Sequence, residues 1–155
     1  MAELVRGADA PDFTLPRDGG GAISLSEFRG RPVVLFFYPK DDTEGCTMEA
    51  KDFTAAKADF DAAGVALIGL SPDPVKKHDR FVQKHALAVP LASDESHETL
   101  EAYGVWKEKS MYGRTYMGVE RTTVLVDADG RIAEIWSKVK VKGHVEAVLD
   151  AARKL

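Results

Sequence analysis

The chain has 155 residues, 21 Lys and Arg against 25 Asp and Glu for a formal charge of -4, and 45% hydrophobic residues. That balance fits one ordinary globular domain over 1–155, large enough to bury a core without metal or disulfide staples. It excludes three classes at once: no basic patch for nucleic acid, no apolar run near the roughly 20 residues of a membrane helix, and a single cysteine, Cys46, that can form no internal disulfide.

The N-terminal residues show no apolar core of signal-peptide length, and because one cysteine can form no internal disulfide, a reducing compartment, most simply the cytoplasm, is expected. The first elements are short strands near 13–15 and 22–25 around Gly19, Gly20 and Gly21, which reads as a β-hairpin. Residues 33–38 are apolar at every position, as in a strand covered on both faces, and Pro39 ends it. From 46 to about 63 the apolar residues Ala50, Phe53, Ala56 and Phe60 recur at helical spacing, and Gly64 stops the helix. A second apolar run at 65–70 completes a β-α-β unit.

Ser71-Pro72-Asp73-Pro74 opens a second helix to about Ala86, and a shorter one runs near 97–103 to Gly104. A buried strand at 122–126, a turn at 127–130 and an alternating strand at 131–136 follow, then a closing helix from Gly143 to Ala152. The alternating stretch Lys138 to Lys142 reads as a strand or strand end with a solvated face. The fold class this order predicts is α/β, thioredoxin-like, with an N-terminal β-hairpin extension. No exposed apolar stripe is legible, so a monomer is expected, and Trp106, Met111, Tyr112, Met117 and Trp136 read as packing residues, with an apolar approach to the thiol as the alternative.

Cys46 falls in the first turn of the predicted helix. A lone cysteine is usually a small buried apolar residue. At a helix N-terminus, however, backbone N–H groups without acceptors stabilise a thiolate, which is the reactive form. The four histidines, His78, His85, His97 and His144, share no metal-ligand spacing with Cys46 and read as surface or capping residues.

Tyr38-Pro39 followed by Thr43, Cys46 and Glu49, then Arg121-Thr122-Thr123 entering a strand that ends in Asp127-Ala128-Asp129-Gly130, resembles a peroxiredoxin. The words Tyr38 to Asp42, Ser71-Pro72-Asp73, Met111-Tyr112-Gly113 and Val139 to His144 are similar to the bacterioferritin comigratory protein, or peroxiredoxin Q, subfamily, and the resemblance runs from about Gly7 to the C-terminus. It implies a thiol-dependent peroxidase that reduces hydrogen peroxide and organic hydroperoxides through a sulfenic acid at Cys46. In that scheme Arg121 and Thr43 direct hydrogen bonds into the site, Pro39 shields the thiolate, amides near Gly45 bind peroxide oxygens, and Glu49 holds the arginine.

Two departures stand out. The positions where a resolving cysteine is common hold Lys51 and Val82, and Glu44 stands where a proline or small residue is more usual. The resemblance therefore implies a one-cysteine cycle, with an external thiol reductant (thioredoxin, glutaredoxin with glutathione, or a similar thiol) and no cofactor or metal. The competing reading on the same fold is a thiol transferase or redox-sensing module that forms mixed disulfides through Cys46. The absence of a Cys-x-x-Cys pair argues against dithiol exchange.

Overall fold

The structure, a computed structural model, describes residues 4–155. Strands β1 (Thr14–Pro16) and β2 (Ala22–Ser24) form the expected hairpin, and a 3-10 turn (Leu25–Phe28) leads to β3 (Val33–Phe37). Helix α1 (Glu44–Ala62), β4 (Ala66–Ser71), α2 (Val75–His85) and β5 (Leu91–Ser93) follow. After α3 (Glu98–Ala102) come β6 (Trp106–Met111), β7 (Arg114–Val119), β8 (Thr122–Val126), β9 (Ile132–Trp136) and α4 (His144–Arg153). The main sheet has five strands in the order β5-β4-β3-β8-β9. It is an α/β thioredoxin-like sheet with the N-terminal hairpin added.

β3 lies in the middle, parallel to β4 and antiparallel to β8, which explains why all five of its residues are buried. Alternate residues feed two cores. Val34, Phe36 and Tyr38 pack with Ala50, Phe53 and Phe60 of α1, Phe81 of α2 and Val148 of α4. Val33, Leu35 and Phe37 face Phe13, Ile23, Leu100 and Tyr103 on the other side. Burying each such large apolar side chain contributes about 1.5–3 kcal/mol. Phe36 stacks on Phe53 at 4.5 Å between ring centroids, and Gly69 on the neighbouring strand makes room, since a Cβ there would sit 2.7 Å from Phe36 Cζ.

Register decides where the site lies. Phe37 pairs with Thr122 across the antiparallel β3/β8 ladder, so Arg121, one residue earlier, falls at the end of β3 from which the loop to Cys46 departs. Helix α1 then buries Cys46, Glu49, Ala50 and Phe53, spaced i, i+3, i+4 and i+7, against that end of the sheet. Gly64 at φ +74° closes the helix, and the Val65 amide donates back to the Phe60 carbonyl at 2.9 Å.

Four expectations need correction. Residues 138–142 form no strand: Lys138 turns at φ +50° and the Val139 amide donates to the Arg121 carbonyl at 3.0 Å, carrying the chain off the sheet toward α4. The β6/β7 hairpin went unread because its outward-facing Lys, Glu, Ser and Thr residues carry no burial period. That hairpin exposes Met111, Tyr112, Tyr116 and Met117, so Met111, Tyr112 and Met117 are not packing residues. Finally, His78 and His144 are buried, not surface residues. Among the described residues, no helix is long and apolar enough to cross a membrane.

Candidate active site

Thr43, in extended conformation at φ -91°, occupies the N-cap position of α1, but its side chain makes no cap bond. Its hydroxyl donates instead to the Lys40 carbonyl at 2.8 Å. The first intrahelical bond is from the Thr47 amide to the Thr43 carbonyl, so the amides of Glu44, Gly45 and Cys46 precede the helical ladder and point out of its positive end. Cys46 sits in this turn, 2% exposed.

Arg121 closes over it. Its Nη2 donates to Cys46 Sγ at 3.2 Å while Nη1 donates to Glu49 Oε1 at 2.8 Å. The guanidinium fork thus reads both groups on one face of α1, as a planar, fixed set of donors can. A Cβ on Gly45 would stand 3.2 Å from Nη2, so the glycine permits the close approach. Burial works against the Arg121 charge, but Cys46 and Glu49 beside it more than offset this and raise its pKa.

Glu49 is fully buried, and its second oxygen, Oε2, has no hydrogen-bond partner. Desolvation pushes its carboxyl up to about 7, with Arg121 pulling the other way. Below the arginine, Thr123 Oγ1 and His144 Nε2 lie 2.7 Å apart, and the His144 ring meets Phe53 and Trp136 edge to face. Burial, then the Arg121 charge, lowers the His144 pKa to about 4, so the ring is neutral near pH 7.

Of the residues singled out in sequence, Cys46, Glu49 and Arg121 meet directly. Gly45 lies against the guanidinium, and Pro39 is half-buried where the loop leaves β3. Thr43 is exposed, and its proton is committed to Lys40, not to the sulfur. Glu44 is exposed on the first turn, where solvent screens its charge. Sequence reading missed the pairs Asp41 with His78 and Thr123 with His144; each joins residues distant in the chain, and the words that held Asp41, Thr123 and His144 gave no sign of which residues pair.

A thiol at the head of a helix, under an arginine delivered by an antiparallel strand of a thioredoxin-like sheet, defines a thiol-based redox enzyme. Residues 6–135 match the model of the AhpC/TSA family. The peroxiredoxin Bcp of Bacillus subtilis is 45% identical over 147 residues, covering 95% of this chain and 94% of that one. Among solved structures, the peroxiredoxin Q of Xanthomonas campestris superposes with a TM-score of 0.90 at 42% identity, over 96% of this chain and 97% of that one. A structure of the bacterioferritin comigratory protein of the same organism, whose alkyl peroxide reduction was studied through trapped intermediate and ligand complexes, gives 0.90 at 41% over 97% and 98%. The chain belongs to the AhpC/TSA family, in its Bcp or Q-type peroxiredoxin branch, and is a thiol-dependent peroxidase.

Proposed function

We propose that Cys46 reduces hydrogen peroxide and alkyl hydroperoxides in a one-cysteine cycle. The observation that carries this is the Arg121 fork, fixed on Glu49 at 2.8 Å and aimed at Cys46 Sγ at 3.2 Å. The alkyl peroxide reduction studied in the 41% identical Xanthomonas protein supports the substrate class.

In the first step a sulfur lone pair attacks the terminal peroxide oxygen, an S–O bond forms and the O–O bond breaks. The leaving hydroxide or alkoxide takes a proton and departs as water or alcohol. Sulfur is oxidised by two electrons and the peroxide is reduced. Arg121 and the amides of Gly45 and Cys46 stabilise charge as it moves onto the leaving oxygen, donors already in place before reaction. Thr43 Oγ, its proton engaged by Lys40, offers a lone pair to the peroxide O–H, and Pro39 shields the sulfur.

Because this is the only cysteine, the sulfenic acid has no internal partner. An external thiol attacks it, releasing water and forming a mixed disulfide, and a second thiol exchanges to free Cys46. That chemistry fits a reducing compartment such as the cytoplasm. Cys46, Glu49 and Arg121 all come from one chain, which supports a working monomer. The thiol-transferase reading is disfavoured by the absence of a Cys-x-x-Cys pair and by the Arg121 fork on the sulfur, which dithiol exchange does not need.

The test is intact mass after one equivalent of hydrogen peroxide, for the parent and for Cys46→Ser. The parent gains one oxygen within seconds and the variant neither gains it nor consumes peroxide. A parent that stays unmodified, or a variant equally active, sinks the reading.

A further inference from the structure

A polar cluster beside the loop into the thiol takes no part in the peroxide step described above. The Tyr38 hydroxyl donates to Asp41 Oδ1 at 2.6 Å, Asp41 Oδ2 stands 2.7 Å from His78 Nδ1, and His78 Nε2 stands 3.1 Å from the Ala92 carbonyl oxygen. The Asp41 amide donates to Asp73 Oδ2 at 2.8 Å, which also accepts from the Ser71 hydroxyl at 2.7 Å. His78 is 0% exposed and Asp41 7%.

The partners settle the protons. A carbonyl oxygen only accepts, so His78 Nε2 carries a hydrogen. The short contact from Nδ1 to Asp41 Oδ2 places a proton between those two atoms as well, so both ring nitrogens are hydrogen-bonded. The value of such a satisfied buried polar cluster lies in fixing one geometry.

That geometry ties the loop to one helix. Asp42, the next residue, turns at φ +60° and pairs with Lys84 at 2.7 Å and His85 at 2.8 Å. Two consecutive loop carboxylates are thus held by α2, and Thr43 directly after them is the N-cap of the helix that carries Cys46. Arg121 reaches the sulfur from β8, on the far side of β3 from α2 and β4. The two must meet at 3.2 Å, although one is set by the sheet and the other by the loop.

We propose that Asp41 and His78 are positioning residues of the peroxidase: their buried hydrogen-bonded pair pins the loop before α1 to α2 and so holds Cys46 in register with Arg121. This rests on the peroxidase reading. A misplacement of about 1 Å in such a constellation is enough to cost about a hundredfold in rate.

The test compares the full-length parent with His78→Gln, Asp41→Asn, the two combined, and Tyr38→Phe, which removes a single hydrogen bond to Asp41. Two readouts are taken: the single-turnover rate at which Cys46 gains oxygen from hydrogen peroxide, and the pH profile of its alkylation by iodoacetamide. Each single change at the pair lowers the oxidation rate by about tenfold or more and moves the alkylation profile to higher pH. The combined variant recovers part of the rate, because two amides can still hydrogen-bond across the same gap. Variants with a lowered melting temperature but a parent-like rate and alkylation profile overturn the proposal. Should the pair variants fail to fold, Tyr38→Phe decides: a rate several-fold below the parent supports the clamp and a parent-like rate refutes it. Failure of the peroxidase reading looks different, because the parent itself then takes up no oxygen.

Discussion

Arg121 touches Cys46 across 75 residues of sequence, its Nη2 lying 3.2 Å from the sulfur, and the same guanidinium grips Glu49 one turn further along the helix. The arginine is therefore held before any substrate arrives. A donor that needs no reorganisation during reaction is worth more than one recruited from solvent.

Removing that donor is expected to cost about a hundred- to a thousandfold in the second-order rate with hydrogen peroxide, the range for loss of a preorganised donor to developing negative charge. Arg121→Ala measures this directly by competition kinetics. Arg121→Lys is expected to recover little, because an ammonium cannot address Glu49 and the sulfur with one planar fork. An Arg121→Ala rate within threefold of the parent would remove the residue from the mechanism.

Gly45→Ala separates stability from activity. The added methyl stands 3.2 Å from Arg121 Nη2, so the guanidinium must shift by a few tenths of an ångström. Alanine in a helix is favoured over glycine by about 1 kcal/mol, which offsets the crowding. The expected result is a melting temperature near that of the parent with a peroxide rate about tenfold lower, as expected for a displaced catalytic group. An unchanged rate would show that the arginine tolerates the displacement.

Glu49 makes stability depend on pH in an unusual direction for a carboxylate. Its carboxyl is raised to about 7 in the folded protein from 4.5, so the folded state binds the proton more tightly than the unfolded one. Its contribution is fully present below pH 4.5 and is lost as pH rises through about 7. Glu49→Gln, which keeps an acceptor for Arg121, is expected to flatten the fall in melting temperature across that window. A parent-like slope in the variant would mean that Glu49 is ionised throughout.

His144 acts with the opposite sign. Its ring is lowered to about 4 from 6.5, so the folded state resists protonation, and the contribution present above pH 6.5 is lost as pH falls through about 4. His144→Asn is expected to reduce acid destabilisation between those limits, read from denaturant melts at several pH values. Between pH 4.5 and 6.5 the two residues oppose each other, so the parent curve is flatter than that of either variant.

Much of this architecture was legible because its residues carry strong local signals. Residues 33–37 are apolar at every position because β3 is covered on both faces, and Thr122–Val126 repeats the pattern beside it. The helix from Glu44 showed through the spacing of Ala50, Phe53 and Phe60, and Gly64 marked its end by needing a positive φ. The β6/β7 hairpin carried no such mark, since most of its residues meet water and cross-strand pairing alone holds it. Lys138 to Lys142 carried a false one: an alternation of charge and valine that the chain uses as a crossing loop.

Sequence by itself determined the chemistry available: one thiol in the first turn of a helix, a threonine and proline before it, and no second cysteine to resolve it. Those are local facts, encoded in spacing along one turn. Only the tertiary structure decided which charges meet the sulfur. The antiparallel register of β3 with β8 brings Arg121 to the loop's root, the i, i+3 spacing of Cys46 and Glu49 offers both to one guanidinium, and the burial of His78 turns a residue that looked like surface into the hydrogen-bond partner of Asp41. Contacts between distant segments depend on register and packing, which no local window of sequence contains.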